Sequence, residues 1–153
     1  MSELRDLYQE LILDHGRRPR NSGKLDSPTH HADGYNPLCG DRIALYLEMD
    51  EGRVKSVSFE GTGCAISQAS ASLMTEGIKG KTVAEVLSLF RKLTATVTGR
   101  DDDAANEGDV ELGKLAVFEG VSQYPMRVKC ATLAWHTLRN ALEGKDVEVA
   151  VTE

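Results

Sequence analysis

The stretch from residue 41 to residue 61 constrains the fold of this chain more than any other. Its first half alternates apolar and polar side chains with the period of a half-buried β-strand, and the apolar positions are Ile43, Leu45, Leu47 and Met49. A turn sequence follows at residues 50–53, and residues 54–59 resume an extended pattern. The sequence therefore predicts a hairpin, which brings Asp41 and Gly61 close together because the open ends of antiparallel strands meet.

Cysteine-containing segments flank both ends of that hairpin. Asn36-Pro37-Leu38-Cys39-Gly40-Asp41 precedes it, and Gly61-Thr62-Gly63-Cys64 follows it. Because the two ends are neighbours, we expect Cys39, Asp41 and Cys64 to lie near one another. Cys64 also precedes a run of small residues that is typical of a closely packed helix, and the dipole at a helix N-terminus stabilises a thiolate.

The third cysteine, Cys130, follows Arg127-Val128-Lys129 near the start of a helix expected over residues 127–142. We expect it in the first helical turn or just beyond, where the helix dipole again favours a thiolate. Three thiolates and one carboxylate suit a tetrahedral zinc ion, and Arg127 and Lys129 would offset their negative charge. No CxxC pair is present, so burial of the cysteines as small hydrophobic residues remains an alternative.

The remaining patterns predict an α+β protein with a single domain over residues 1–153. Helices are expected at residues 2–15, from Cys64 to about residue 77, at 83–95 and at 110–122, with a capping box at residues 82–85. Residues 25–35 have a weak extended pattern, and the tail at 147–151 fits either a terminal strand or a disordered segment. The acidic, aperiodic stretch around residues 98–109 is expected to be an exposed insertion.

Composition excludes several classes of function. The net charge of −6 argues against nucleic-acid binding, which usually requires a basic excess. No apolar run approaches the roughly 18 residues of a membrane-spanning helix, and the N-terminal residues lack the apolar core of a signal peptide. We therefore expect a cytoplasmic protein. The basic run at residues 17–20 fits either a solvated loop or a docking patch for an acidic surface.

The four histidines have no assigned role at this stage. Adjacent residues on an extended segment face opposite sides, so at most one of His30 and His31 can join a given site, and both are expected at the surface. His136 is expected to pack in the last helix beside Trp135. The sequence does not assign a role to His15.

Five segments resemble the IscU/NifU-like iron–sulfur assembly family, and most closely its SufU branch. They are residues 11–15, 19–21, 36–41, 59–67 and 127–131. Two features favour SufU: Lys129 stands where the IscU branch has a ligand histidine, and the acidic stretch at 98–109 matches a SufU insertion. The chaperone-recognition segment of the IscU branch is absent, since Tyr124-Pro125-Met126-Arg127 takes its place.

The resemblance implies a SufU/IscU-like fold, in which helices cover one face of a small antiparallel β-sheet. It implies a zinc ion held by Cys39, Asp41, Cys64 and Cys130, and a SufS-type pyridoxal-phosphate cysteine desulfurase as partner. Cys39 would leave the metal and accept persulfide sulfur for downstream Suf assembly proteins, with Arg127 steering its thiolate.

Two other functions remain open at this stage. The chain can instead be a scaffold on which a [2Fe–2S] cluster is assembled and transferred, because the same ligands accept iron. A zinc ion with only a structural role in an interaction module is the third possibility.

Overall fold

The computed structural model describes the backbone of residues 2–37, 40–98, 112–143 and 149–151, and the side chains of these ranges apart from residues 2–8, 122 and 149–151. The elements in chain order are α1 (Ser2–Arg17), β1 (His30–Asn36), β2 (Asp41–Asp50), β3 (Arg53–Thr62), α2 (Ala65–Ile78), α3 (Val83–Thr98), a 3₁₀-helix (Gly113–Gln123), α4 (Pro125–Leu142) and β4 (Val149–Val151). No helix among the described residues has the length and apolar character needed to span a bilayer.

The predicted hairpin is confirmed in strands β2 and β3. Asp50 pairs with Arg53 across a two-residue turn. Glu51 and Gly52 both adopt positive φ, 52° and 77°, as the tight turn that suits the right-handed twist of a hairpin requires. At the open end, Arg42 pairs with Thr62. The ends of the hairpin therefore meet as the alternation predicted.

The sheet contains two further strands, in the order β3-β2-β1-β4. Strand β1 pairs antiparallel with β2 over its whole length, from the His30–Leu47 pair to the Asn36–Asp41 pair. Residues 149–151 form a strand, one of the two alternatives for the tail, and it runs parallel to β1. Three antiparallel strands thus form the expected sheet, and the added edge strand makes it mixed.

Helices cover one face of this sheet, as expected for an α+β fold. Along β2 the buried side chains alternate with partly exposed ones, and Leu45 and Leu47 are completely buried. Helix α4 lies against β1 so closely that a Cβ on Gly34 would overlap the Thr137 hydroxyl. The opposite face carries polar side chains, and there His31 stacks on Tyr46 with ring centroids 5.0 Å apart.

The structure defines two expected helices more closely. The described part of the short helix expected at residues 110–122 is a 3₁₀-helix. Its buried residues include Val117 as well as Leu115, Phe118 and Val121, and the last three recur every three positions, which is the 3₁₀ period. Helix α4 begins at Pro125, a residue suited to the first helical position, so Cys130 lies in the second turn. Stabilisation of the Cys130 thiolate by the free N–H groups of the first turn is therefore not supported.

Candidate metal centre

Three of the four predicted ligands converge at one end of the molecule. Asp41 is the first residue of β2, Cys64 caps α2, and Cys130 projects from the second turn of α4. One ligand atom from each lies within 4.8 Å of the other two. Asp41 and Cys130 are buried, and Cys64 is half-buried. Cys39 and the predicted insertion from residue 99 onward lie outside the described residues.

The hairpin places Asp41 and Cys64 in contact. Strand β3 ends at Thr62, and the Cys64 backbone N–H donates to Asp41 Oδ1 over 3.1 Å. Gly63 makes this approach feasible, because a Cβ at that position would collide with the Asp41 carboxylate. Glycine at position 63 therefore allows the Cys64 N–H to reach the Asp41 carboxylate.

The surroundings of Cys64 favour its thiolate. Its backbone is extended, and its Sγ accepts a hydrogen bond from the Ser67 N–H at 3.5 Å, so Cys64 is the N-cap of the helix that the sequence predicted to begin there. Hydrogen bonding from Cys130, followed by that from Ser67, lowers the pKa of the Cys64 thiol to about 6, against the opposing effects of burial and of Asp41. At neutral pH this sulfur is a ready metal ligand.

Asn36 is a site residue that the sequence did not identify. It is fully buried, and its side-chain N–H₂ donates to Asp41 Oδ2 at 3.3 Å and to Cys130 Sγ at 3.7 Å. It thereby orients two ligands that come from different elements. The available signal was the alternation Ala32, Gly34, Asn36 along β1, which places the amide on the buried face, but that strand pattern was too weak to rely on.

Arg127 and Lys129 lie at the rim of this group rather than within it. Arg127 is exposed in the first turn of α4, and Lys129 is half-buried. Among the described residues, no hydrogen bond joins either side chain to Asp41, Cys64 or Cys130. The predicted steering role of Arg127 therefore stays a prediction.

The ligand group contains no histidine among the described residues. The side chain of His15, on α1, is buried against α2, with Nδ1 2.7 Å from Ser72 Oγ and Nε2 3.7 Å from Glu76 Oε1. Burial lowers the pKa of His15. His136 packs edge-on against Phe90, and His30 and His31 are partly exposed, as expected.

The donor set fits zinc. Two sulfurs and a carboxylate are accepted zinc ligands, and their separations of up to 4.8 Å are close to the roughly 3–4 Å between the ligands of a tetrahedral ion. No described Lys, Arg or His nitrogen lies within 4.0 Å of the buried Asp41 carboxyl group. A metal cation would give its oxygens a positive partner.

Comparison with known proteins identifies the family. The NifU-like N-terminal domain matches residues 7–131. The zinc-dependent sulfurtransferase SufU of Bacillus subtilis is 42% identical over 95% of each chain. The iron–sulfur cluster assembly scaffold protein IscU of Thermotoga maritima is 44% identical, covering 90% of this chain and 93% of its own.

A solved structure agrees with these relatives. The crystal structure described as an iron–sulfur cluster assembly scaffold protein for the SUF system of Fervidobacterium islandicum is 38% identical, with a TM-score of 0.78, over 87% of this chain and 94% of its own. The predicted resemblance to the SufU and IscU proteins is confirmed. The chain belongs to the NifU-like N-terminal domain family, within its group of IscU and SufU proteins.

Proposed function

We propose that this protein is a zinc-dependent sulfur acceptor that takes persulfide sulfur from a SufS-type cysteine desulfurase for iron–sulfur cluster assembly. The observation that carries the proposal is the convergence of Asp41, Cys64 and Cys130 beside the loop that contains Cys39. Asn36 and Asp41 pair across the base of that loop, and Gly40 N–H donates to Asn36 O over 2.8 Å. Covalent geometry keeps the Cα of Cys39 within about 7.6 Å of the Cα of Asp41.

In this proposal Cys39, Asp41, Cys64 and Cys130 hold the zinc ion. When bound, zinc keeps coordinated thiols deprotonated at neutral pH. Asn36 orients the Asp41 carboxylate and the Cys130 sulfur, and the Cys64 N–H orients the other carboxylate oxygen. The sequence predicts Cys39 in a loop, whereas Asp41 begins β2, Cys64 caps α2 and Cys130 lies within α4, so release of Cys39 would disturb the fold least.

The transfer step is a thiol–persulfide exchange. The Cys39 thiolate attacks the outer sulfur of the persulfide on the desulfurase, and a new S–S bond forms as the S–S bond of the donor breaks. The donor cysteine leaves as a thiolate and takes up a proton, so Cys39 now carries the persulfide with no net oxidation. Arg127, at the rim, would stabilise the attacking thiolate electrostatically.

The proposal includes the setting of the reaction. The donor is a pyridoxal-phosphate cysteine desulfurase, the recipients are downstream Suf assembly proteins, and the location is the cytoplasm. Support comes from the relative named zinc-dependent sulfurtransferase, which is alignable over almost the whole chain. Residues 1–153 act as one domain in this account.

A scaffold function is the second candidate. Thiolates and a carboxylate bind iron as well as zinc, and relatives of similar identity are named IscU scaffold proteins. In that case a [2Fe–2S] cluster is the cargo that the same residues hold. Lys129, which stands where the IscU branch has a ligand histidine, favours zinc.

Desulfurase turnover and metal content test the proposal together. We expect protein purified without oxygen to contain one equivalent of zinc and no visible chromophore, and to stimulate turnover of the desulfurase. The Cys39→Ala variant should not stimulate. Persistent stimulation by this variant refutes the acceptor role, and a coloured, iron-containing preparation favours the scaffold.

A further inference from the structure

The exposed large apolar side chains of the described residues lie on, or directly before, helices that border the candidate metal centre. Among the described residues, only three large apolar side chains are exposed: Leu13 at 44%, Tyr124 at 62% and Met126 at 56%. Exposed apolar side chains that cluster rather than scatter mark interaction surfaces. The positions of these three side chains therefore indicate a surface that binds a partner.

Leu13 lies on one side of the centre. It precedes the exposed Arg17 by four residues in α1, so the two side chains share one face of that helix. The end of α1 rests on the start of α2, since a Cβ on Gly16 would lie 3.1 Å from Ala65 O. Ala65 directly follows the ligand Cys64.

Tyr124 and Met126 lie on the other side. Met126 and Arg127 precede the ligand Cys130 by four and three residues, which places them one turn above it on the same face of α4. Tyr124 immediately precedes the helix. The start of α2, with Cys64, therefore lies between two groups of exposed side chains. Each group combines an arginine with one or two apolar side chains.

The two arginines are available to a partner. Two other arginines of the described chain form ion pairs, Arg20 with Asp14 at 2.6 Å and Arg53 with Glu85 at 3.9 Å. Within the described ranges, no carboxylate lies within 4.0 Å of Arg17 or Arg127. Because the whole chain carries a net charge of −6, an acidic partner is attracted only where cations dominate locally.

We propose that Leu13 with Arg17 and Tyr124 and Met126 with Arg127 form a two-part docking surface, which binds a surface of the cysteine desulfurase that combines carboxylates with apolar side chains. This inference rests on the proposed function, because the partner is the sulfur donor named there. Binding at both sides of Cys64 places the donor persulfide over the metal centre. The three apolar side chains supply affinity, and the two arginines speed and orient the association with the desulfurase.

The experiment measures binding apart from sulfur transfer. The Cys39→Ala chain, which cannot accept sulfur at that position, is titrated with the desulfurase, alone and combined with Arg17→Glu, Met126→Ser or Lys79→Glu. Lys79→Glu is the matched control, because Lys79 is also exposed but follows the far end of α2. We expect Arg17→Glu and Met126→Ser each to raise Kd by about tenfold or more, and Lys79→Glu to change it by less than about twofold. Added salt should weaken the parent complex more than the Arg17→Glu complex.

The outcomes separate this inference from the proposed function. If both variants bind as Lys79→Glu does while sulfur still reaches Cys39 of the wild-type chain, the docking surface is wrong and the function stands. If binding depends on Arg17 and Met126 but no sulfur reaches Cys39, the docking surface stands and the acceptor function fails. If the variants instead abolish self-association in sedimentation velocity and leave desulfurase binding unchanged, the surface serves a second copy of this chain and the inference is overturned.

Discussion

Helix α2 contributes buried polar groups to two regions that differ in how those groups are satisfied. In its middle, Ser70 Oγ donates to Ala131 O at 2.5 Å and accepts from Trp135 Nε1 at 3.2 Å. Near its N-terminus, the Ser67 N–H donates to Cys64 Sγ at 3.5 Å. Beside it, Asn36 Nδ2 of β1 donates to Asp41 Oδ2 at 3.3 Å and to Cys130 Sγ at 3.7 Å. The first region is complete without a ligand, whereas the second gathers two sulfurs and a carboxylate that a metal cation would bind together.

This contrast teaches how to distinguish structural polar groups from a site. A structural cluster pairs each buried donor with an acceptor at short range, because an unsatisfied group costs free energy. A metal centre collects side chains of one chemical kind, and mutual repulsion is relieved only when the ion binds. Substitutions in the middle of α2 and near its N-terminus should separate the two regions, beginning with the largest expected effect.

Asp41→Ala should have the largest effect. Removing a ligand from the centre should reduce the zinc content of the purified protein more than tenfold and should lower the free energy of unfolding by several kcal/mol, on the order of the metal-linked stability of small zinc sites. Metal analysis and thermal unfolding with and without a chelator measure both. A variant that retains stoichiometric zinc would remove Asp41 from the ligand set.

Gly63→Ala should weaken the metal centre without removing a ligand. Its Cβ would displace the Asp41 carboxylate, so we expect zinc affinity to fall by about 10–100-fold, as when the groups that orient a ligand are lost. Gly120→Ala is the control, since a Cβ on Gly120 meets no atom within 4 Å. Competition with a chromophoric chelator gives both affinities, and equal values would contradict the close approach of Gly63 to Asp41.

The Ser70→Ala variant should lose stability but keep its zinc affinity. Loss of its hydroxyl leaves Trp135 Nε1 without this acceptor, and the free energy of unfolding should fall by about 1–3 kcal/mol. Zinc affinity should not change, because Ser70 belongs to the self-satisfied cluster. Denaturant unfolding of the metal-loaded and metal-free proteins should give the same loss, and a loss confined to the loaded protein would erase the distinction between the two regions.

The sequence predicted the parts of this structure that local patterns determine. The alternation in residues 43–49 and the Glu51-Gly52 turn depend on neighbours in sequence, so the hairpin and the meeting of Asp41 with Cys64 followed from them. Strand β1 and the role of Asn36 depend instead on pairing with β2 and on packing under α4. Such non-local contacts leave little periodic signal.

His15 should give the smallest effect, visible as a pH dependence of stability. Burial lowers the pKa of His15 below its ordinary value, so the unfolded chain binds more protons than the folded chain just below pH 6.5. Stability should therefore be complete above about pH 6.5 and should decline as the pH falls through the lowered pKa. Substitution His15→Gln should flatten this decline.

His136→Gln is measured alongside, because burial also lowers the pKa of His136 and its loss should remove a separate part of the same decline. The difference between the wild-type and His15→Gln unfolding free energies, measured from pH 5 to pH 8 in metal-free protein, isolates His15. If that difference does not vary with pH, His15 does not titrate in this range and the buried contact with Ser72 is only structural.

The central claim is that Cys39 receives sulfur while Asp41, Cys64 and Cys130 remain metal ligands. The most direct measurement incubates the zinc-loaded protein with the desulfurase and cysteine, traps persulfides by alkylation, and locates the added sulfur by peptide mass spectrometry. The account predicts one added sulfur on Cys39, none on Cys64 or Cys130, and no added sulfur in Cys39→Ala. Sulfur on Cys64 or Cys130 in the wild-type protein, or an unmodified Cys39, would contradict it.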